Sequence, residues 1–189
     1  ERQICIAACK LEESARNDDQ IGLLINAAIA VLTSNMVEIN RDEWIKDAEE
    51  AERSGYIITA EEIIFDVVSI GIDDRDRKRT WIADAKLCED HGCFECARAI
   101  YSVAMNYLPN KKGIWKRAAA FEKEHGTRES YEEVLELATD NCPWAEVLWC
   151  MAAKSKEQAG DVESARLVLI NAFVVHPNSE EIILAAVKL

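Results

Sequence analysis

The chain has 189 residues, 49% of them hydrophobic, and a net charge of −13. That acidity argues against RNA or DNA as the main direct ligand, because phosphate recognition needs cations gathered on one face. No apolar run reaches the ~20 residues of a membrane span.

The first segment carries Ile4, Ala8 and Glu12 at helical spacing. Asn17, Asp18 and Asp19 then read as a turn, and Ile21 to Leu32 as an apolar second helix. After Trp44 the chain becomes periodic. Trp81, Trp115 and Trp149 stand 34 residues apart, as do Gly92, Gly126 and Gly160, and as do Pro109, Pro143 and Pro177. A fixed period of this size marks a stacked helical array.

Count each Trp as slot zero. Slot four is small: Ala48, Ala85, Ala119 and Ala153. Slot eleven is Gly55, Gly92, Gly126 and Gly160. A small residue lets a second helix approach the first. Glycine ends the first helix because it adopts the left-handed conformation without penalty. Slots sixteen, twenty and twenty-three share one face of the second helix. Proline at slot twenty-eight stops that helix, since it cannot continue the hydrogen-bond ladder.

The predicted fold is all-α: a right-handed α-α superhelix of the tetratricopeptide-like kind, with about five helix-turn-helix repeats and a terminal half-repeat. The repeats start near residues 4, 44, 81, 115, 149 and 183, and residues 1–189 read as a single repeat domain cut from a longer protein. Asn178 and Ser179 cap the last helix, where Ile183 takes the Trp slot.

An acid stands at or near slot eight: Glu12, Glu52, Glu89 and Glu157. This Trp–Ala–Glu register resembles the half-a-tetratricopeptide (HAT) repeat of RNA-processing proteins. The words Ile39–Trp44, Ile114–Ala119, His125–Ser130, Glu146–Trp149, Met151–Lys154, Gly160–Val162 and Pro177–Ile182 resemble the pre-mRNA-processing factor 6 family. Two positions depart from it: Ile183 stands where the family has Trp, and Cys150 where it has an apolar residue. The resemblance implies a nuclear, non-catalytic scaffold of pre-mRNA splicing. It would bridge the U5 particle with U4/U6 in the tri-snRNP through spliceosomal proteins of both. An alternative is a HAT scaffold of another RNA-processing complex, such as messenger-RNA 3′-end cleavage.

In tetratricopeptide-like arrays the first helices line the groove. By register the candidate protein-binding residues are Glu49, Lys86 and Lys154 at slot five, and Glu52, Glu89, Lys123 and Glu157 at slot eight. Slots eight and seventeen also suggest charge pairs across each hairpin: Glu89 with Arg98, Lys123 with Glu132, Glu157 with Arg166.

Cys88, His91, Cys93 and Cys96 offer four soft ligands. They also follow repeat register, so no zinc site is needed to explain them. Neither a phosphate loop nor a hydrolase motif occurs, and no cofactor or catalytic residue is expected. Seven Cys and no Asn-x-Ser/Thr site favour a reducing compartment with free thiols. The basic runs Arg75–Arg79 and Lys111–Arg117 read as solvated joints, with nuclear import or a minor direct RNA contact as the other reading. Trp144 lies in a joint, as packing or as an exposed contact. The ends of the array would expose core-type surface and allow the chain to self-associate.

Overall fold

A computed structural model describes residues 2–189, and among them every regular element is a helix. Five hairpins follow one another: α1 (Arg2–Ser14) with α2 (Ile21–Ser34), α3 (Arg41–Arg53) with α4 (Ile57–Val67), α5 (Arg77–Asp90) with α6 (Phe94–Tyr107), α7 (Lys112–His125) with α8 (Arg128–Asn141), and α9 (Glu146–Gln158) with α10 (Val162–Val175). The last helix is α11 (Glu180–Lys188). These are tetratricopeptide-like hairpins. They form two compact units, Glu1–Ala104 and Met105–Leu189.

In the first unit α4 packs on α3 and also reaches α1 and α2. The small slot-four residues Ala48 and Ala85 are fully buried, as are Ile63, Ile64 and Val67 of α4. In the second unit Ala119 and Leu135 pack with Ala152, and Ala153 with Leu169, Ala172 and Ile182. The residue buried in α11 is Ile182, at 1% exposure; Ile183, in the Trp slot, is 43% exposed. It follows Leu148 and Ile114, the fully buried neighbours one position before Trp149 and Trp115.

Trp44, Trp81 and Trp115 are buried, while Trp149 is half-buried. The indole N–H groups show why Trp and Pro share a period. Trp115 Nε1 donates to the carbonyl of Pro109 at 2.7 Å, and Trp149 Nε1 to that of Pro143 at 2.9 Å. Each proline lies two residues beyond a second helix, where its ring stops the ladder and its carbonyl is free to accept. The same carbonyls receive a second partner from one unit later. Cys142 Sγ lies 3.3 Å from the Pro109 oxygen, and His176 Nε2 lies 2.7 Å from the Pro143 oxygen. Before Trp81 the joint is longer, and the indole donates to Val68 instead, at 3.1 Å.

The slot-eleven glycines do not share one role. Gly55, Gly92 and Gly160 have φ of 87°, 76° and 80°, the left-handed conformation expected. Gly126 has φ −96° and ψ −167°, which any residue adopts. A Cβ there would lie 2.8 Å from the Glu122 carbonyl oxygen, so glycine is required by space. The first helices end differently: α7 runs to His125 and Gly126 is itself the C-cap, whereas α9 ends at Gln158 with Ala159 as C-cap and Gly160 beyond it. Thr127 then caps α8 in a reciprocal box with Ser130.

Candidate protein-interaction surfaces

The slot-five and slot-eight residues do not form one displayed row. Glu49 is 4% exposed. Its carboxylate meets Arg53 at 3.0 Å and His91 Nδ1 at 2.8 Å, so it is not free for a partner. Glu52 is turned toward the next hairpin. It accepts the backbone N–H groups of Glu95 at 3.0 Å and Cys96 at 2.8 Å, capping α6 from outside. Glu13 treats α4 in the same way, accepting Ile58 N–H at 3.0 Å, Thr59 N–H at 2.9 Å and the Thr59 hydroxyl at 2.6 Å.

These caps answer a local defect. The residue before α4 is Tyr56, which has no side-chain oxygen in place to satisfy the first N–H groups. The acid of the preceding first helix supplies it. Where slot eight is Lys123, the following second helix is capped by its own residue instead: Asp161 accepts Ser164 N–H at 3.0 Å. Sequence reasoning placed Glu12 in this register. The structure gives Glu12 to the Asn17 side chain and the capping role to Glu13. The legible signal was a second helix without Ser, Thr, Asp or Asn before it.

Of the other slot residues, Glu89 is largely covered, with a side chain 13% exposed, and the remaining four face outward. Lys86 is exposed and bound along its own helix to Glu89 at 2.8 Å and Asp90 at 3.2 Å. Lys123, Lys154 and Glu157 are exposed. Lys154 and Glu157 line a cleft of about 410 Å³ between α9 and α11, with Cys150, Glu181, Leu184 and Lys188.

The expected cross-hairpin charge pairs are replaced in the second unit. Arg166 pairs with Glu163 of its own helix at 2.8 Å. Glu132 pairs with Lys156 at 2.5 Å and Arg128 at 2.7 Å rather than with Lys123. Hydrogen bonds from Lys156 first, then Arg128, hold the Glu132 carboxyl below its usual range. Lys156 belongs to the next hairpin, so the pair ties neighbours rather than partners. In the first unit Arg98 meets Glu95 at 2.5 Å.

Cys88, Cys93 and Cys96 are fully buried, and burial raises all three thiols. Cys93 Sγ lies 3.8 Å from the Glu49 carbonyl oxygen, and His91 faces the Glu49 carboxylate. With His91 they bring no three ligand atoms within 4.8 Å of one another.

The two basic runs differ. Arg77 is tied to Asp74 at 3.0 Å. Lys111, Lys112, Lys116 and Arg117 are all exposed, and none of the four forms an ion pair among the described residues. Beside them Trp144 is 51% exposed, with Lys112 Nζ 5.4 Å from its ring centroid. A further surface was missed in sequence. Leu167, Ile170 and Val174 of α10 are 61%, 58% and 76% exposed, in slots where α8 carries Glu133, Glu136 and Asp140. Ile170 and Val174, with Phe173, Ile183 and Val187, edge an apolar groove of about 530 Å³ between α10 and α11. Comparing the two helices slot by slot would have found it.

No family model matches the chain. It is 53% identical to human Pre-mRNA-processing factor 6 over 106 residues, 56% of this chain and 11% of that protein. The chain is related to the pre-mRNA-processing factor 6 family. It is also 36% identical over 106 residues to Pre-mRNA-splicing factor prp1 of Schizosaccharomyces pombe, covering 56% of this chain and 12% of that one. The chain thus spans about a tenth of the length of the relatives it matches. These alignments cover 56% of the chain, less than the span from Ile39 to Ile182 over which the matching words are scattered. A solved structure of the MamA R50E mutant superposes with a TM-score of 0.53 at 13% identity, covering 72% of this chain and 98% of that one. That likeness concerns the fold alone.

Proposed function

We propose that this chain is a non-catalytic scaffold segment of the pre-mRNA splicing machinery. It holds proteins of the U5 particle against those of U4/U6 in the nucleus. The observation that carries this reading is the 53% identity to a pre-mRNA-processing factor over more than half of the chain. The hairpins support it. Their periodic residues are consumed by packing and joints, which leaves surface as what the chain offers. Lys123, Lys154 and Glu157, with Lys86 and Glu89, are the proposed partner-facing residues, while Glu49 and Glu52 serve the scaffold itself.

Affinity purification of the full-length parent from nuclear extract tests this. Spliceosomal proteins of the U5 and U4/U6 particles are the expected co-purifying set. Recovery of cleavage factors instead would favour a scaffold of messenger-RNA 3′-end processing. The groove between α10 and α11 also gives the isolated chain a surface for self-association, read by concentration-dependent size-exclusion chromatography.

A further inference from the structure

On this acidic protein one patch has the opposite sign. Lys111, Lys112, Lys116 and Arg117 fall within seven consecutive residues at the start of α7, and the first turn of that helix contains no acid. Lys112 and Lys116 are one turn apart and share a face. No carboxylate neutralises them among the described residues, although the second unit pairs Arg128, Lys156 and Arg166 with acids. Next to this patch the joint after α8 presents Trp144. The other four tryptophans, Trp44, Trp81, Trp115 and Trp149, occupy the repeat slot, while Trp144 lies outside it and is half in solvent. Lys112 sits over the ring, so cation and aromatic face form one surface.

We infer that this surface, Lys111, Lys112, Lys116 and Arg117 with Trp144, docks a short acidic segment of a partner protein that carries an apolar side chain among its carboxylates. The carboxylates meet the lysines and the apolar side chain lies on the exposed indole. The inference rests on the scaffold reading and gives one of its surfaces a partner chemistry. Charge complementarity favours it, because the cations span only ~9 Å of helix. That length suits two or three carboxylates of an extended peptide. A phosphodiester chain repeats its charge along its whole length, and beyond this short patch the net charge of −13 opposes it.

The test uses the whole chain and a fluorescein-labelled peptide, Asp-Glu-Asp-Leu-Asp-Glu, titrated by anisotropy at low salt. A uridine hexanucleotide is run in parallel. The peptide is expected to bind, to shield an exposed Trp from acrylamide, and to weaken as salt rises. Lys112→Gln with Lys116→Gln should weaken it about tenfold, as expected for losing two exposed charge contacts. Trp144→Ala should weaken it and remove the protection from acrylamide. Circular dichroism of each variant checks that the helices remain. No peptide binding to the folded wild-type chain overturns the inference. So does equal binding by the lysine variant, or tighter binding of the hexanucleotide through the same lysines. If the peptide fails while spliceosomal proteins still co-purify with the parent, the inference falls and the scaffold reading stands.

Discussion

The indole N–H of Trp149 reaches back six residues to the carbonyl of Pro143, at 2.9 Å, and the ring of His176 meets the same oxygen at 2.7 Å. One carbonyl thereby gathers the end of one hairpin, the start of the next and the end of that next hairpin. The Pro109 carbonyl does the same with Trp115 and Cys142.

Removing the indole donor should therefore matter more at the first of these joints. Trp115 is buried and its oxygen retains only a weak thiol donor in the Trp115→Phe variant. That change should cost about 1–2 kcal/mol, from the lost bond and the under-satisfied carbonyl. Trp149→Phe leaves His176 in place and should cost less. Urea midpoints of the two variants give the comparison; equal midpoints would contradict the account.

The caps supplied between hairpins invite a transplant. Asp161→Ala removes the self-cap of α10 and should cost about 1 kcal/mol. Adding Lys123→Glu places an acid in the slot from which Glu52 caps α6, and part of the loss should return. Thermal melting of the single and double variants measures the recovery. In the first unit Glu52→Ala should cost about 1–2 kcal/mol, and Glu52→Gln less, because the amide oxygen still accepts.

Two glycines at the same slot should fail for different reasons. Gly160→Asn is expected to be mild, since Asn tolerates the left-handed conformation. Gly160→Ala should cost about 1 kcal/mol. At Gly126 any side chain meets the Glu122 carbonyl, so Asn should be no better than Ala there. Denaturation of the four variants separates backbone strain from crowding.

Two carboxylates should leave opposite marks on the pH profile. Glu132 is held low by Lys156 and Arg128, so it stabilises above its unfolded value and that contribution disappears as pH falls through the folded one. Asp66 is raised by burial, against a hydrogen bond from Asn26 that lowers it. Its favourable contribution exists below the unfolded value and is lost as pH rises through the folded one. Glu132→Gln should lower stability at neutral pH and leave the acid limb nearly unchanged. Asp66→Asn should raise stability at neutral pH, because the amide keeps the Asn26 bond without a partly desolvated charge. Melting temperature across pH 3 to 8 reads both.

The hairpins and their joints were legible because Trp, Ala, Gly and Pro each answer to a backbone constraint that recurs with the period. The partner-facing residues were less so. Register put Glu49 on a helix face but gave no sign that Arg53 and His91 would close over it. It gave Glu52 an address without its target, since the N–H groups it satisfies lie more than forty residues on. In the second unit the pairing of slots eight and seventeen gave way for a related cause. Arg166 and Glu132 have partners three or four residues away on their own helices, and these form at lower entropic cost than a link across the hairpin. Trp144 could be named as outside the pattern, but its exposure came only from the coordinates.

Because Glu13 and Glu52 each complete a helix belonging to a later hairpin, these modules are not interchangeable beads. Excising the α3–α4 hairpin would strip α6 of its cap as well as removing its own residues. The α9–α10 hairpin, with Asp161 inside it, brings its own ending and beginning. Splicing, duplicating or grafting of modules in this chain is thus constrained by a grammar of adjacency: a second helix that starts bare must follow a neighbour that offers an acid.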